Sequence, residues 1–191
     1  SSIMITYNNK IKSLKNLPNR VTSLNIRGTY NLKKIDNEIE VCKLSLISKR
    51  IKTTEGISFR GISECLVSQC KDLRKLYLNT DNRVMEELTL EHTNELSIIE
   101  SNVQYISKMY LKNIDIKTIR PLLDSLLKVD RLHLQPYSFL NYKFSDVNQF
   151  IELIKKCSCV AMERKFYTGE EFLKEYEANI KKFCVRTLKC K

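Results

Sequence analysis

The chain has 191 residues, 42% of them apolar, with only 4 Gly and 3 Pro and no low-complexity tract, which is the composition of folded rather than disordered protein. Its net charge of +11 is uneven: residues 1–52 carry +8, 53–100 carry −4, 101–154 carry +2 and 155–191 carry +5. Basic ends around an acidic middle are not the continuous stripe of a nucleic-acid binder, and no apolar run approaches the ~18 residues of a membrane span, so neither class is the first expectation.

From the N-terminus onward one spacing recurs, apolar residues at i, i+3 and i+5. A truncated copy is Ile3/Ile5, and full copies are Val21/Leu24/Ile26, Val41/Leu44/Leu46, Met85/Leu88/Leu90, Ile106/Met109/Leu111 and Val129/Leu132/Leu134, with a weaker one at Ile62/Cys65/Val67. The last positions fall at 5, 26, 46, 67, 90, 111 and 134, a period of 20 to 23 residues. Such a period describes a coil in which each turn lays down one short strand, the last two apolar residues alternate inward, and the first seals the turn against its neighbour. A single turn cannot bury its apolar edge, so the turns must stack.

The segment Ile11-x-x-Leu14-x-x-Leu17-Pro18-x-x-Val21-x-x-Leu24-x-Ile26 resembles the leucine-rich-repeat superfamily, particularly its short repeats in which a Leu-Pro step precedes the strand. The resemblance implies an α/β leucine-rich-repeat solenoid of seven or eight turns, with a curved parallel sheet on the concave side and loops and short helices on the convex side. At the family's Asn-ladder place this chain has other polar residues, such as Thr29 and Lys49, and Asn113 falls one position early. Between 46 and 88 the spacing Leu73/Leu76/Leu78 competes with Ile62/Cys65/Val67; phase favours the second, which puts 73–78 on the convex return as a helical turn.

Further along, 115–128 reads as a convex helix with Pro121 near its start. Ser145 is a candidate N-cap for a helix from 146 to about 155, and Ile154/Cys157/Cys159 repeats the strand spacing, so a last strand is expected over 156–162. Thr168-Gly-Glu-Glu171 then opens an amphipathic helix carrying Phe172, Leu173, Tyr176, Ile180, Phe183 and Cys184. The organisation expected is a solenoid over 1–144, with the last repeat and a helical C-terminal cap of the same domain over 145–191.

Two readings stand for the seven cysteines. Cys65, Cys157 and Cys159 fall at core positions of the repeat, where cysteine serves as a small apolar residue. Alternatively, Cys157-Ser-Cys159 with Cys184 and Cys190 resembles the cysteine cap of extracellular leucine-rich-repeat proteins, which implies a disulfide-closed end and a secreted rather than cytoplasmic protein. A zinc site is not expected, because C-x2-C knuckles are missing. His92 and His133 sit in no nucleophile motif, and no Gly-rich phosphate loop, H-E-x-x-H or carboxylate-pair signature occurs, so the expectation is no enzyme, no cofactor and no metal.

Residues flanking the inward pairs should face the concave surface, and from them the candidate partner-binding set is Arg27, Lys43, Leu66, Glu87, Glu91, Lys108, Tyr110, Lys112, Arg131 and His133. Gln135, Lys156, Ser158 and Val160 extend the same face. Basic turns flank an acidic centre, with Leu66 and Tyr110 as apolar anchors, a pattern suited to a protein partner. The expected function is a non-catalytic protein-interaction module, similar to the secreted leucine-rich-repeat proteins of intracellular parasites such as microsporidia. The alternatives are a basic accessory protein bound to ribosomal or other RNA through its convex side or termini, and a self-associating structural protein.

Overall fold

The structure is a computed structural model and describes residues 1–134, 143–144 and 147–188. In chain order its elements are β1 (Ser2–Thr6), β2 (Ser13–Leu14), β3 (Arg20–Arg27), β4 (Lys34–Ile35), β5 (Ile39–Ile47), β6 (Ile57–Ser68), β7 (Lys75–Leu78), β8 (Val84–Ser101), β9 (Tyr105–Thr118), α1 (Arg120–Ser125), β10 (Lys128–Leu134), β11 (Lys143–Phe144), α2 (Val147–Lys155), β12 (Cys157–Met162), β13 (Lys165–Tyr167) and α3 (Gly169–Leu188).

The inward pairs stack turn upon turn. Ile5 lies beside Ile26, Ile26 beside Leu46, Leu46 beside Val67, Val67 beside Leu90, Leu90 beside Leu111, Leu111 beside Leu134, and Leu134 beside Met162. The result is a main sheet ordered β1-β3-β5-β6-β8-β9-β10-β12 with every pairing parallel, closed at its far side by the antiparallel β13. These strands wind a solenoid of about six turns. That is fewer than seven or eight, because eight strands bound only seven returns and the last of these passes through α2. One continuous apolar cluster, from Leu14 to Leu173, fills the coil.

Two corner devices let the chain turn. Two residues beyond the last inward residue of most strands the backbone enters the left-handed region, at Tyr7, Gly28, Gln69, His92 and Asn113. At the opposite corner an Asn amide reaches back one turn in place of a backbone rung. Asn37 both accepts from Leu17 N and donates to Leu17 O (3.3 and 3.2 Å), and Asn102 does the same with Thr80 (2.8 and 2.9 Å). Just beyond the strand ends small side chains bond within the coil: Thr29 Oγ1 donates to Ser48 Oγ (3.1 Å), Ser48 Oγ donates to Thr29 O (2.9 Å), and Cys70 Sγ donates to Leu46 O (3.4 Å).

Several expectations are corrected. Besides loops and the short helices α1 and α2, the return side carries strand pairings that were not expected: β2 pairs β4, β7 pairs the second half of β8, and β11 pairs the end of β9. Leu73, Leu76 and Leu78 are fully buried there, and Lys75–Leu78 is a strand, not a helical turn. In β6 the phase chosen from the sequence holds, since Cys65 lies between Leu44 and Leu88, but Ile62 is 76% exposed. The ladder there jumps from Val41–Phe59 to Lys43–Glu64, so residues 60–63 bulge and Phe59 supplies the seal. The helix near Pro121 spans only Arg120–Ser125, because 115–118 remain in β9.

The last strand is where expected, but its inward residues are Cys157, Val160 and Met162, three positions later than Ile154/Cys157/Cys159. Ile154 belongs to the buried face of α2 with Phe150, Ile151 and Leu153, so its spacing to Cys157 was helical periodicity. Gln149 fastens that helix to the coil: its Oε1 accepts from Ile119 N (2.7 Å) and Thr118 Oγ1 (3.1 Å). Helix α3 opens with a reciprocal cap, Glu171 N donating to Thr168 Oγ1 (3.2 Å) and Thr168 N to Glu171 Oε2 (2.8 Å), and it buries Phe172 and Leu173.

Candidate functional site: the outward face of the main sheet

Because parallel strands run in register, the outward side chains of the main sheet line up in three rows. The first runs Ser23, Lys43, Glu64, Glu87, Lys108, Arg131 and Cys159; the second Asn25, Ser45, Leu66, Thr89, Tyr110, His133 and Ala161; the third includes Arg27, Ile47, Ser68, Glu91 and Lys112. All ten candidate residues, Arg27, Lys43, Leu66, Glu87, Glu91, Lys108, Tyr110, Lys112, Arg131 and His133, therefore lie on one surface. Val160 does not join them: it points inward and is fully buried. Lys156 lies just before β12 and donates to Leu126 O on the return side (2.7 Å), and Gln135 falls outside the described residues.

The charges on this surface are largely answered by neighbouring turns. Lys43 Nζ meets Glu64 Oε1 at 2.7 Å, Lys112 Nζ meets Glu91 Oε1 at 3.9 Å, and Lys108 Nζ meets Glu86 Oε1 at 3.5 Å. Hydrogen bonding to Glu64 holds the Lys43 ammonium above its usual range. Ser68 Oγ donates to Glu91 (3.1 Å), and Thr89 Oγ1 donates to Glu87 (3.3 Å). Arg131 lies over the ring of Phe166, 5.7 Å from its centroid, a contact supplied by β13. Sequence spacing missed both Glu86 and Phe166: the first sits beside rather than on the outward period, and the second belongs to an antiparallel strand outside the repeat.

At the centre Tyr110 and His133 stack face to face, centroids 4.3 Å apart and planes within 10°. Register places them directly opposite on β9 and β10, so the stack is built by the sheet itself. Partial burial, then the charge of Arg131, pulls the His133 imidazole below its usual 6.5, and Glu87 opposes weakly. His133 Nε2 is enclosed, with no hydrogen-bond partner among the described residues. The other histidine, His92, faces Asn113 across 3.2 Å between Nδ1 and Nδ2.

Cys157 and Cys159 carry free thiols on opposite sides of β12; the side chain of Cys184, and all of Cys190, lie outside the described residues. Burial pushes the Cys157 and Cys70 thiols up to about 12, as for core residues, and Cys65 higher still. Among the described residues no group of three or more His, Cys, Asp or Glu is placed to hold a metal, and no helix is long and apolar enough to cross a membrane. No protein-family model matches the chain, and neither a curated protein nor a solved structure is significantly similar to it.

Proposed function

We propose that this chain is a non-catalytic interaction module of the leucine-rich-repeat type that binds a protein partner through the outward face of its main sheet, with α3 closing the far end of the stack. The single observation that carries the reading is the Tyr110–His133 stack, a flat aromatic patch with half-buried Leu66 two strands away across Thr89 and with Lys43, Lys108 and Lys112 already paired along the sheet. Such a patch offers a partner rigid aromatic area without the desolvation of free charges. The recurrence of inward pairs every 20 to 23 residues supports the repeat type, and the engagement of His133 with Tyr110 and of His92 with Asn113 supports a binding rather than a catalytic role.

The test is a photo-crosslinking residue placed at Thr89, between Leu66 and Tyr110, and for comparison at Asp124 on α1. In extract of the source cells the Thr89 probe is expected to capture a discrete protein that is lost when Tyr110→Ala is added to the same chain. Equal capture at Asp124, or capture at Thr89 that survives Tyr110→Ala, contradicts the reading.

A further inference from the structure

The corner where the main sheet gives way to the return side carries a different arrangement of charge. Backbone rungs tie Lys33 N to Lys12 O (2.9 Å), Lys52 N to Lys33 O (3.3 Å) and Arg74 N to Lys52 O (2.9 Å), so four cationic residues form one column, a turn apart. Successive turns of a parallel sheet are about 4.8 Å apart, which gives the column a length of roughly 14 Å. Next to it Asp72 N bonds Lys49 O (3.1 Å), which sets Lys49 and Arg50 one turn from Lys71. All seven cations are exposed, and none belongs to an ion pair among the described residues.

Two adjoining clefts open beside the column, lined among these cations by Lys49, Arg50 and Lys71. One, of about 500 Å³, is lined by Gly28, Tyr30, Ile47, Lys49, Gln69, Lys71 and His92. The other, of about 340 Å³, shares Tyr30, Lys49 and Lys71 with it and adds Asn31, Arg50 and the one acid there, Asp72. Tyr30 stands half-exposed between them. Like charges stacked at the repeat distance repel, and a fold that can pair Lys43 with Glu64 on one face leaves them unpaired here. A linear anion relieves that repulsion along the whole column, and an exposed aromatic ring in a cleft wide enough for a nucleobase adds a stacking surface.

We propose that this corner binds the phosphodiester backbone of a single-stranded nucleic acid, with Lys49, Lys52 and Lys71 contacting phosphates and Tyr30 stacking on a base. The site is separate from the protein-binding face and stands or falls independently of it. A double helix presents its phosphates over a longer, wider track than one column of about 14 Å, whereas a few nucleotides of single strand match it.

The experiment is fluorescence anisotropy of a labelled single-stranded RNA of about 12 nucleotides with the full chain at about 50 mM salt, repeated at about 200 mM. The wild-type protein is expected to bind, and to lose at least about tenfold in affinity between the two salts. Lys49→Glu/Lys52→Glu/Lys71→Glu is expected to weaken binding by at least about 30-fold, whereas Arg20→Glu/Lys128→Glu/Lys165→Glu, with the same change in net charge, stays within about threefold. Circular dichroism and melting of both triple variants establish that each is folded. Tyr30→Ala is expected to weaken RNA binding by about fivefold or more and to leave binding of inorganic polyphosphate unchanged. Absence of wild-type binding at low salt, equal losses in the two triple variants, or a Tyr30→Ala effect no larger for RNA than for polyphosphate overturns the proposal.

Discussion

The main face and the basic corner are built from the same turns, a few residues apart, yet they treat lysine in opposite ways. On the face Lys43, Lys108 and Lys112 each find a carboxylate on a neighbouring turn. At the corner Lys12, Lys33, Lys52 and Arg74 stack with like on like. A solenoid makes either outcome cheap to encode, because one change per repeat lines up a whole row. Rows whose charges are satisfied internally suit a partner read by shape and aromatic contact, and a row left unsatisfied suits a partner that brings the opposite charge.

Both surfaces stand on one core, and the largest effects test that. Leu90 lies beneath the face and Leu73 beneath the corner, both fully buried. Leu90→Ala and Leu73→Ala should each cost about 2–5 kcal/mol and shift a single unfolding transition in chemical denaturation. Separate transitions for the two variants would break the idea of a shared core. Next in size is the corner's backbone. Gly28 has φ +64 and an added Cβ would lie 2.8 Å from the Tyr7 ring, whereas Gly61, at φ +61 in the bulge of β6, has open space. Gly61→Ala should cost about 1 kcal/mol of left-handed strain, and Gly28→Ala more than that, as read by thermal melting.

Smaller effects sharpen the contrast. Among the five described thiols, alkylation of native protein near pH 8 should label Cys42 and Cys159 before the others and leave Cys65, Cys70 and Cys157 largely unlabelled, since the last three are buried with raised thiol values. Fast labelling of Cys157 would remove it from the core row. For His133 the folded value lies below 6.5, so the unfolded chain binds the extra proton first. Its contribution to stability is complete above about pH 6.5 and is lost as pH falls from there through the lowered folded value, a loss that His133→Phe should abolish. Smallest of all, Lys43→Ala should lower the melting temperature at low salt and Lys52→Ala should raise it, with both shifts shrinking as salt screens them. Shifts of the same sign would erase the distinction between face and corner.

The stacking of the main sheet was legible because inward pairs must recur, and from Ile5 to Leu134 every expected last-inward residue sits beside its counterpart. Legibility ended where two periods overlap. Ile154/Cys157 fits both a strand triplet and a helix face, and only the packing of α2 decides. Ile62 fits the triplet too, but the extra residues around Gly61 are absorbed as a bulge, which spacing alone does not reveal. The outward rows of the face followed directly from the inward ones, whereas the basic column did not. Lys12, Lys33, Lys52 and Arg74 recur at 21, 19 and 22 residues, close to the repeat period, but they lie on the returns outside the apolar triplets, and the return ladder is what shows them in line. The surplus of +8 over residues 1–52 announced the charge without its arrangement.

The most direct measurement is a lysine-acetylation footprint of the full chain, read by mass spectrometry with and without the single-stranded RNA of about 12 nucleotides. Protection of Lys49, Lys52 and Lys71, with Lys43, Lys108 and Lys112 unchanged, is the predicted result. Protection of the three face lysines with the corner unchanged would contradict the account, since it would mean that the paired charges are the ones that meet phosphate.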